Sequence, residues 1–500
     1  MRKEVLRMER VSYRERGTVL LDGLSLNIYE GEILGLVPIN DQPGVKALTD
    51  VLYRNRPLHY GYVYYRERPV NTWRHPKSAP SQIALIQNLS GLAPDLTVAE
   101  NVFVIGSHFS RHLVNYRRLR EEFQALAQQL GVELDPNAYA DRLTVYQRVV
   151  VDLMKAIHAG CRLAILWDVC TFISPSELGE FHRVLKKCAA DGMSFLYISP
   201  HFEEADEICS RTLAMYDGQV IKSIDQKVSF PSMFPSFCSP AYIDRVRSQV
   251  AGHPRSADAP LAFSAENLCA GKLDGLNFQV RQGECLVMQD MDGQVAAELL
   301  QILQMETPFR GRLTVGGKPL GRLDRRIAIV QELATATMLF PRMSYLDNLC
   351  LTLDHRIPRI WCRSSLKRGI RRDLEPILGS HVFDCDIAEL SDREKYDLVY
   401  TRVALQKPDA AFCVFPFKDT DSDTRMHICE LIDGLLQRKI AVVILAVNLA
   451  DSLAVADRVL QIQGGREVRE FLPEDFPALP SSTPWQRLYA DLSAEQTFRK

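Results

Sequence analysis

The chain has 500 residues, of which 46% are hydrophobic, and it carries 60 basic and 62 acidic side chains. This length and apolar content can bury two separate cores, and the near cancellation of charge argues against nucleic acid as a partner. No apolar run of about 18 residues occurs, and residues 1–4 lack the apolar core of a signal peptide. We therefore expect a soluble cytosolic protein whose twelve cysteines, none in a C-x-x-C pair, stay reduced.

The start of the chain contains two strand-like runs on either side of a Gly-Glu turn. The surrounding segment reads DGLSLNIYEGE at residues 22–32, and it returns as DGLNFQVRQGE at residues 274–284, offset by 252 positions. The strand-like runs of the two copies lie at residues 24–28, 33–37, 276–280 and 285–288.

Two further segments repeat in the same order. LTVAEN at residues 96–101 is echoed by MSYLDN at residues 343–348, now offset by 247 positions. DGQ at residues 217–219 and GGR at residues 464–466 keep that second spacing. Matched landmarks in one order indicate a tandem duplication, so we expect two copies of one structural unit.

Each half also contains short apolar runs that lack alternation and are separated by helical stretches. Such runs are typical of buried strands in a largely parallel sheet, so the sequence predicts an α/β fold in both halves. The apolar runs lie at residues 163–166, 195–198, 411–414 and 441–445, and the helical stretches at residues 177–187 and 426–436.

A segment rich in Pro and Ser, FPSMFPS at residues 230–236, separates the two halves and is typical of a linker. We therefore predict an N-terminal domain at residues 1–225, a linker at residues 226–262, a C-terminal domain at residues 263–473 and a tail at residues 474–500.

With these landmarks, the chain resembles the double-domain ATP-binding subunits of carbohydrate-uptake ABC importers of the ribose, galactose and xylose type. LAPDLTVAEN at residues 92–101 and YISPHFEE at residues 197–204 are similar to that family's post-Q-loop and switch segments. The resemblance implies two tandem ABC-type nucleotide-binding domains, each with a P-loop NTPase-like core sheet and a helical subdomain. It also implies ATP and Mg²⁺ as cofactors and a membrane permease as partner, whereas no direct sugar binding is expected of this subunit.

The family's first phosphate loop reads GENGAGKST. Its small residues let backbone N–H groups close around the phosphates, its lysine reaches the β and γ oxygens, and its hydroxyl binds Mg²⁺. The first half of this chain has PINDQPGVKA at residues 38–47, where only Asn40 and Gly44 fit and Pro43 removes a backbone donor. Lys46 could reach a phosphate if the loop carries a one-residue insertion; otherwise it is a solvated lysine at the start of a helix.

The second half has DMDGQVAAE at residues 290–298, where the family reads GLMGAGRTE. Only Gly293 remains of the glycines, and the basic residue has become Ala296. Asp290 and Asp292 flank the cradle, where their charge opposes that of a phosphate. The sequence predicts no phosphate site there.

The family places an Asp for the metal and a Glu that activates water after a buried strand. Here these positions hold Trp167 and Asp168 in the first half, and apolar Val414 and Phe415 in the second. Because sites form at the carboxyl ends of parallel strands, Asp168 is a candidate for a residual polar role, with a capping or surface role as the alternative. An apolar pair can neither coordinate Mg²⁺ nor take a proton.

The family's Leu-Ser-Gly-Gly-Gln signature is altered as well. LTVYQ at residues 143–147 puts Tyr146 in place of a glycine that lets backbone approach phosphate. LSDRE at residues 390–394 keeps Ser391 but brings acidic residues to the place where the γ-phosphate would arrive.

The switch histidine is missing from both halves. Pro200 takes its place in the first half, and we expect its neighbour His201 to be a surface histidine. The second half has Val447 at this point. Of the Q-loop residues, Gln87 and Gln331 survive.

These losses predict a hydrolysis-deficient pseudo-ATPase, because each charge-assisted phosphate contact is worth about 1.5–3 kcal/mol and about 1.4 kcal/mol is tenfold in binding or rate. It would act as a structural or regulatory partner of a membrane permease or a sensor protein, docking near residues 88–105 and 332–350, at the inner face of the membrane. The alternative is a divergent but active importer ATPase that uses Lys46 and Asp168 against Ser391 at one composite site.

Overall fold

Two compact units make up the chain, Met1–Pro240 and Ala241–Lys500. Both contain an antiparallel sheet and a mostly parallel one, so the expected tandem pair of α/β domains is confirmed. Arg245, inside the predicted linker, belongs to the second unit, where it bonds the carboxylate of Asp433 at 2.8 Å. The computed structural model describes residues 3–15, 17–39, 42–73, 82–87, 91–103, 116–225, 245, 259–293, 295–353, 363–418 and 420–479.

The strands of the first domain form two sheets. Its described strands are β1 (Glu4–Glu15), β2 (Thr18–Tyr29), β3 (Ile33–Pro38), β4 (Tyr60–Tyr65), β5 (Arg68–Thr72), β6 (Ile83–Ile86), β7 (Leu163–Trp167), β8 (Ser194–Ile198), β9 (Arg211–Tyr216) and β10 (Gln219–Asp225). The antiparallel sheet has the order β2-β1-β4-β5, and the larger sheet has the order β10-β9-β3-β8-β7-β6. In the larger sheet only β10 runs antiparallel to its neighbour.

Burial explains why the central strands lack alternation. Every side chain of β3 and β8 is buried. Ile165 of β7 packs toward α1 (Gln42–Tyr53) and the antiparallel sheet, whereas Leu166 packs among the helices on the other side. A parallel strand covered on both faces needs apolar side chains on both faces.

The remaining described helices of the first domain lie between successive strands of the larger sheet, three of them between β6 and β7. At the start of α5 the Ser174 hydroxyl accepts from the backbone N–H of Glu177, whose carboxylate accepts from the N–H of Ser174, a capping box that sets where the helix begins. The described helices after α1 are α2 (Val98–Phe103), α3 (Tyr116–Leu130), α4 (Val145–His158), α5 (Pro175–Ala190) and α6 (Phe202–Ile208).

The second domain repeats this architecture. Its described strands are β11 (Leu261–Ala270), β12 (Leu273–Arg281), β13 (Cys285–Asp290), β14 (Arg310–Val315), β15 (Lys318–Pro319), β16 (Ile327–Val330), β17 (Ala410–Val414), β18 (Ala441–Ala446), β19 (Arg458–Gln463) and β20 (Arg466–Phe471). The sheet orders are β12-β11-β14-β15 and β16-β17-β18-β13-β19-β20, which are the orders of the first domain with each strand replaced by its repeat.

The second domain has five helices that repeat α1 to α5 in order, and the short helix Ala334–Thr337 is an addition among its described helices. Its described helices are α7 (Val295–Leu303), α8 (Ala334–Thr337), α9 (Tyr345–Cys350), α10 (Arg363–Leu378), α11 (Asp392–Gln406) and α12 (Ser422–Gln437). Within the ranges that the structure covers, no helix of either domain is long and apolar enough to cross a bilayer.

Each of the two antiparallel sheets contains the same β-bulge. Arg10 of β1 and Asn267 of β11 both adopt positive φ, and each faces a glycine on the neighbouring strand. A Cβ on Gly61 or Gly311 would lie 2.4 Å from the carbonyl oxygen of Arg10 or Asn267. Only glycine fits this close approach, so the same bulge is specified twice.

An ion pair beside the Gly-Glu turn is also repeated. Arg211 Nε lies 3.2 Å from the carboxylate of Glu32, and Arg458 Nε lies 2.7 Å from that of Glu284. Their spacings are the offsets of 252 and 247 positions that relate the two halves of the sequence. The duplicated sequence therefore builds duplicated side-chain contacts.

Candidate functional site

The phosphate loop of the second domain is closed by a carboxylate of its own. Asp290, the last residue of β13, is buried, and one of its oxygens accepts hydrogen bonds from the backbone N–H groups of Val295 at 2.6 Å and Ala296 at 3.3 Å. The other oxygen accepts from the N–H of Asp292 at 3.3 Å. First-turn N–H groups are the donors that a helix offers to a phosphate, and here the Asp290 carboxylate uses them.

The rest of this loop adds a second negative charge. The Asp292 carboxylate accepts from the backbone N–H of Gly464 at 2.6 Å. Gly293 is exposed with φ +65°, and a Cβ there would meet no atom within 4 Å, so its role in the turn is conformational. A phosphate approaching this loop would face two carboxylates.

The first phosphate loop also departs from a cradle. Asn40 lies outside the described residues, and α1 begins two positions later with Pro43 in its first turn, where one N–H donor is therefore absent. Gly44 is buried in this turn. Lys46 is exposed on the same helix, as the solvated alternative for this lysine requires.

Asp168 stands at the carboxyl end of β7 in the left-handed region, with φ +49°. Its backbone N–H donates to the carbonyl of Ile198 at 2.8 Å, and its buried carboxylate accepts from the hydroxyl of Thr171 at 2.5 Å. Asp168 is therefore not a surface residue, which corrects that part of the sequence alternative. A residual polar role for it stays a prediction.

Phe415 has the backbone geometry of Asp168 without its carboxylate. It too is left-handed, with φ +43°, and its N–H donates to the carbonyl of Leu445 at 3.0 Å. Left-handed backbone costs a non-glycine residue about 1–2 kcal/mol. The strand-end turn is thus kept in both domains whichever side chain it carries.

The Q-loop residues lie at the ends of the outer strands. Gln87 is half-buried after β6, and Gln331 is exposed after β16. The next residue, Glu332, forms an ion pair with the buried ammonium of Lys418, which follows the strand-end turn of the second domain. In the second domain, the polar groups at this end of the sheet therefore bind each other.

The two signature segments begin helices through capping boxes. The Thr144 hydroxyl accepts from the N–H of Gln147 at 3.2 Å, and the Gln147 side chain accepts from the N–H of Thr144 at 3.0 Å. In the second domain the Ser391 hydroxyl accepts from the N–H of Glu394 at 3.3 Å, and the Glu394 carboxylate accepts from the N–H of Ser391 at 2.8 Å. In each domain, the backbone N–H groups of these two residues are therefore satisfied within the helix itself.

The second signature carries a fixed negative charge. Burial alone would raise the pKa of Glu394, but hydrogen bonds from His381 and Ser391 outweigh it and hold the pKa below its usual value. The carboxylate is therefore ionised at neutral pH. Its charge at the start of α11 opposes that of a phosphate.

Tyr146, which replaces a signature glycine, turns its ring toward the helices. It packs against the helical core and lines a pocket of about 510 Å³ together with Leu130, Val150 and Val184. Burial, with Glu180 nearby, raises the pKa of its phenol to about 12. The ring thus fills space inside its own domain.

His201 is buried, so the expectation of a surface histidine is wrong. It stands at the start of α6, where its backbone N–H donates to the hydroxyl of Ser199 at 3.1 Å. A single histidine after an apolar strand does not by itself indicate burial, so this feature could not be predicted from the sequence.

Beside His201, a buried acid is held by hydroxyl groups. The Glu204 carboxylate accepts from Ser199 at 2.6 Å and from the phenol of Tyr197. The same phenol oxygen lies 3.3 Å from the ring nitrogen of His182. Burial lowers the pKa of His182 to about 4, so this ring is neutral at neutral pH.

The corresponding acid of the second domain is held by a cation. Asp451, offset by 247 from Glu204, forms a buried ion pair with Arg425, whose Nε donates to the carbonyl of Thr420 at 2.8 Å. Only a few per cent of either charged side chain is exposed. The buried acid at this position is thus stabilised by hydroxyl groups in the first domain and by an arginine in the second.

The loops after the Q-loops are the same in both domains. Asn101 Nδ2 donates to the carbonyls of Ala93, Leu96 and Thr97 at 3.1–3.2 Å, and its Oδ1 accepts from the N–H of Ala93 at 2.8 Å. Asn348, 247 positions later, makes the matching four bonds to the loop before it. Both asparagines are fully buried.

The donors present do not fit Mg-ATP. Trp167, Val414 and Phe415 offer no metal ligand, and Ala296 stands where a phosphate-binding cation would be needed. Among the residues that the structure describes, no three His, Cys, Asp or Glu side chains cluster as metal ligands, and no cysteine is in a disulfide. No chemical step is therefore derived through ATP or Mg²⁺.

No family model matches the chain. It is 23% identical over 488 residues to a ribose import ATP-binding protein of Burkholderia pseudomallei, which covers 93% of this chain and 92% of that protein. It is 24% identical over 480 residues to a ribose import ATP-binding protein of Geobacillus kaustophilus, over 91% of this chain and 94% of that protein. Among solved structures, an ATP-binding cassette of an ABC transporter in its ADP conformation matches 48% of this chain and 97% of its own, with a TM-score of 0.41 and 16% identity.

Proposed function

We propose that this chain, which is similar to ribose import ATP-binding proteins over more than 90% of its length, is a hydrolysis-deficient pseudo-ATPase. It would act at the cytoplasmic face of the membrane as a structural or regulatory partner of a sugar permease. The relatives named above are ribose import proteins, and the sugar permease enters the proposal from them. The loss of hydrolysis is the part that comes from this chain's own residues.

One contrast inside each domain carries the proposal. The loops held by Asn101 and Asn348 keep their four hydrogen bonds, while the phosphate-facing groups are altered in both domains. A partner that contacts both loops would account for their shared shape.

The second loop offers the apolar side chains that a docking surface needs. Phe340 is 51% exposed and Leu351 is 36% exposed, on either side of the segment that Asn348 holds. Phe340 lies inside the segment 332–350 that the sequence assigned to permease docking, and Leu351 directly follows that segment. Exposed aromatic and aliphatic groups on a rigid loop are typical anchors of protein interfaces.

The alternative, an active ATPase with one residual site, depends on Lys46 and Asp168. Lys46 points into solvent from α1, and the Asp168 carboxylate accepts from Thr171. The alternative would also lack the carboxylate that binds the metal, since Trp167 stands at that position. We therefore favour the pseudo-ATPase.

Calorimetry with Mg-ATP tests the proposal. We expect no saturable binding at millimolar nucleotide by the full chain, and no change in Lys46→Ala or Asp168→Ala. Micromolar binding that either substitution abolishes would support the active alternative. Co-purification with a membrane permease, lost in Phe340→Asp but kept in the exposed control Asn137→Asp, would support the docking half of the proposal.

A further inference from the structure

An aromatic groove lies on the outer face of the first antiparallel sheet, away from the sites described above. Tyr60, Tyr62 and Tyr64 of β4 alternate with buried residues, so their rings share the outer face. Tyr60 is 48% exposed and lies 5.7 Å, centroid to centroid, from the ring of Trp73, which is itself 37% exposed. Tyr62 and Tyr64 lie 6.2 Å apart.

Polar side chains of the neighbouring strands line the same groove. Its volume is about 550 Å³, within the range of about 300–1,000 Å³ that small-molecule sites occupy. The lining includes Arg7, Glu9, Arg10, Ser25 and Asn27 with the rings of Tyr60 and Tyr62.

The charges of this face cancel. Arg7 lies 3.2 Å from Glu9 and 3.5 Å from Glu4, and its guanidinium also sits 4.4 Å above the ring of Tyr64. A single-stranded nucleic acid would require an excess of positive charge along the groove. The face therefore suits a neutral ligand with many hydroxyl groups.

The second domain lacks this face. Its strand β14 pairs with β11 in the same register, and Arg310, Arg312 and Thr314 stand where the first domain has tyrosines. The Thr314 hydroxyl bonds that of Ser264 at 2.8 Å, and both are buried. The bulge glycine is kept in both sheets, so the aromatic residues are a feature of the first domain and not of the fold.

We propose that this groove binds a neutral carbohydrate. The face of an aromatic ring carries negative potential and attracts the positively polarised C–H groups of a sugar ring, so Tyr60 and Tyr62 would stack on it. Arg10 and Glu9 supply donors and acceptors for the hydroxyl groups. Asn27, whose side chain bonds Tyr29 and Arg211, forms part of the wall. Sugar binding to this subunit goes beyond the proposed function, and it is not what the resemblance to importer subunits implies.

Saturation-transfer NMR on the full chain tests this, with glucose, ribose and maltotriose as probes and titration of the tryptophan fluorescence as a second readout. We expect saturable binding of at least one probe. Tyr60→Ala and Tyr62→Ala should each weaken it by about fivefold or more, because each removes a ring on which the sugar would stack, and Tyr60→Phe should keep it because the ring remains. Arg312→Ala, at the equivalent position of the second domain, should change nothing.

Three outcomes would overturn the proposal. The first is no transfer to any probe at tens of millimolar, and the second is binding that survives both alanine substitutions. The third is salt-sensitive binding of a uridine decanucleotide to this face without sugar binding, which would assign the groove to nucleic acid. Tyr60 is exposed, so Tyr60→Ala remains informative if Tyr62→Ala fails to fold. None of these outcomes depends on whether the protein hydrolyses ATP.

Discussion

The loops held by Asn101 and Asn348 are identical in hydrogen bonding, whereas the buried acids Glu204 and Asp451 are satisfied by hydroxyl groups in one domain and by an arginine in the other. Both pairs are related by the same offset of 247 positions. The difference indicates that the partners of the buried acids changed after the duplication, whereas those of the asparagines did not. The loop that faces outward has the same hydrogen bonds in both domains, whereas the buried acid after the switch segment has different partners in each. The proposed loss of hydrolysis would leave that acid free to change its partners.

Removal of the cation from the second switch end should have the largest effect. Arg425→Met would leave the buried Asp451 carboxylate without its ionic partner, and we expect a loss of about 3–5 kcal/mol in the stability of the second domain. Glu204→Gln in the first domain removes a charge but keeps an acceptor, and should cost less. Denaturant unfolding followed in both variants checks this; equal losses would contradict the view that the two ends are built differently.

The asparagine substitutions should have similar effects in both domains. Asn101→Ala and Asn348→Ala each remove a buried side chain that bonds one backbone N–H and three carbonyl groups of its loop, so we expect a loss of about 2–4 kcal/mol from each. Asn137→Ala, an exposed asparagine, is the control and should change stability little. If only one of the two buried asparagines mattered, the loops would not be equivalent.

The stability of the first domain should depend on pH through His182, with a smaller effect than the substitutions above. Burial lowers the pKa of His182 to about 4, below its usual value of 6.5, so between these values the unfolded chain binds a proton that the folded first domain does not. Stability should therefore fall as the pH drops from 6.5 toward 4, by about 2 kcal/mol at pH 5, and level off below pH 4. Cys429 takes this position in the second domain, and burial raises the pKa of its thiol, so it stays neutral throughout.

Thermal unfolding of the wild type and of His182→Gln across this range measures that contribution. The variant should lose the slope between pH 6.5 and pH 4. An unchanged slope would show that the acid sensitivity comes from other groups.

Much of the fold was predictable because it repeats. The strands at residues 163–166 and 441–445 are apolar on both faces, and period and length identify such strands without any structure. The echo of Asn101 in Asn348 was likewise visible as an offset. A residue that recurs at the same offset can thus be recognised as structural from a single sequence.

The candidate site was predictable in its losses but not in its replacements. A motif shows that a lysine or a carboxylate is missing, but it does not show which groups the remaining side chains bond. The sequence placed Asp290 beside the cradle, and the structure turns its carboxylate onto the N–H groups of Val295 and Ala296. Burial of His201 and Asp168 was missed for the same reason, since it depends on how a turn re-enters the domain.

Release of inorganic phosphate from Mg-ATP by the purified protein is the most direct test of the proposed loss of ATP hydrolysis. We expect no release above that of the Lys46→Ala, Asp168→Ala double variant prepared in the same way. Steady, magnesium-dependent release by the wild type that this double variant loses would contradict it.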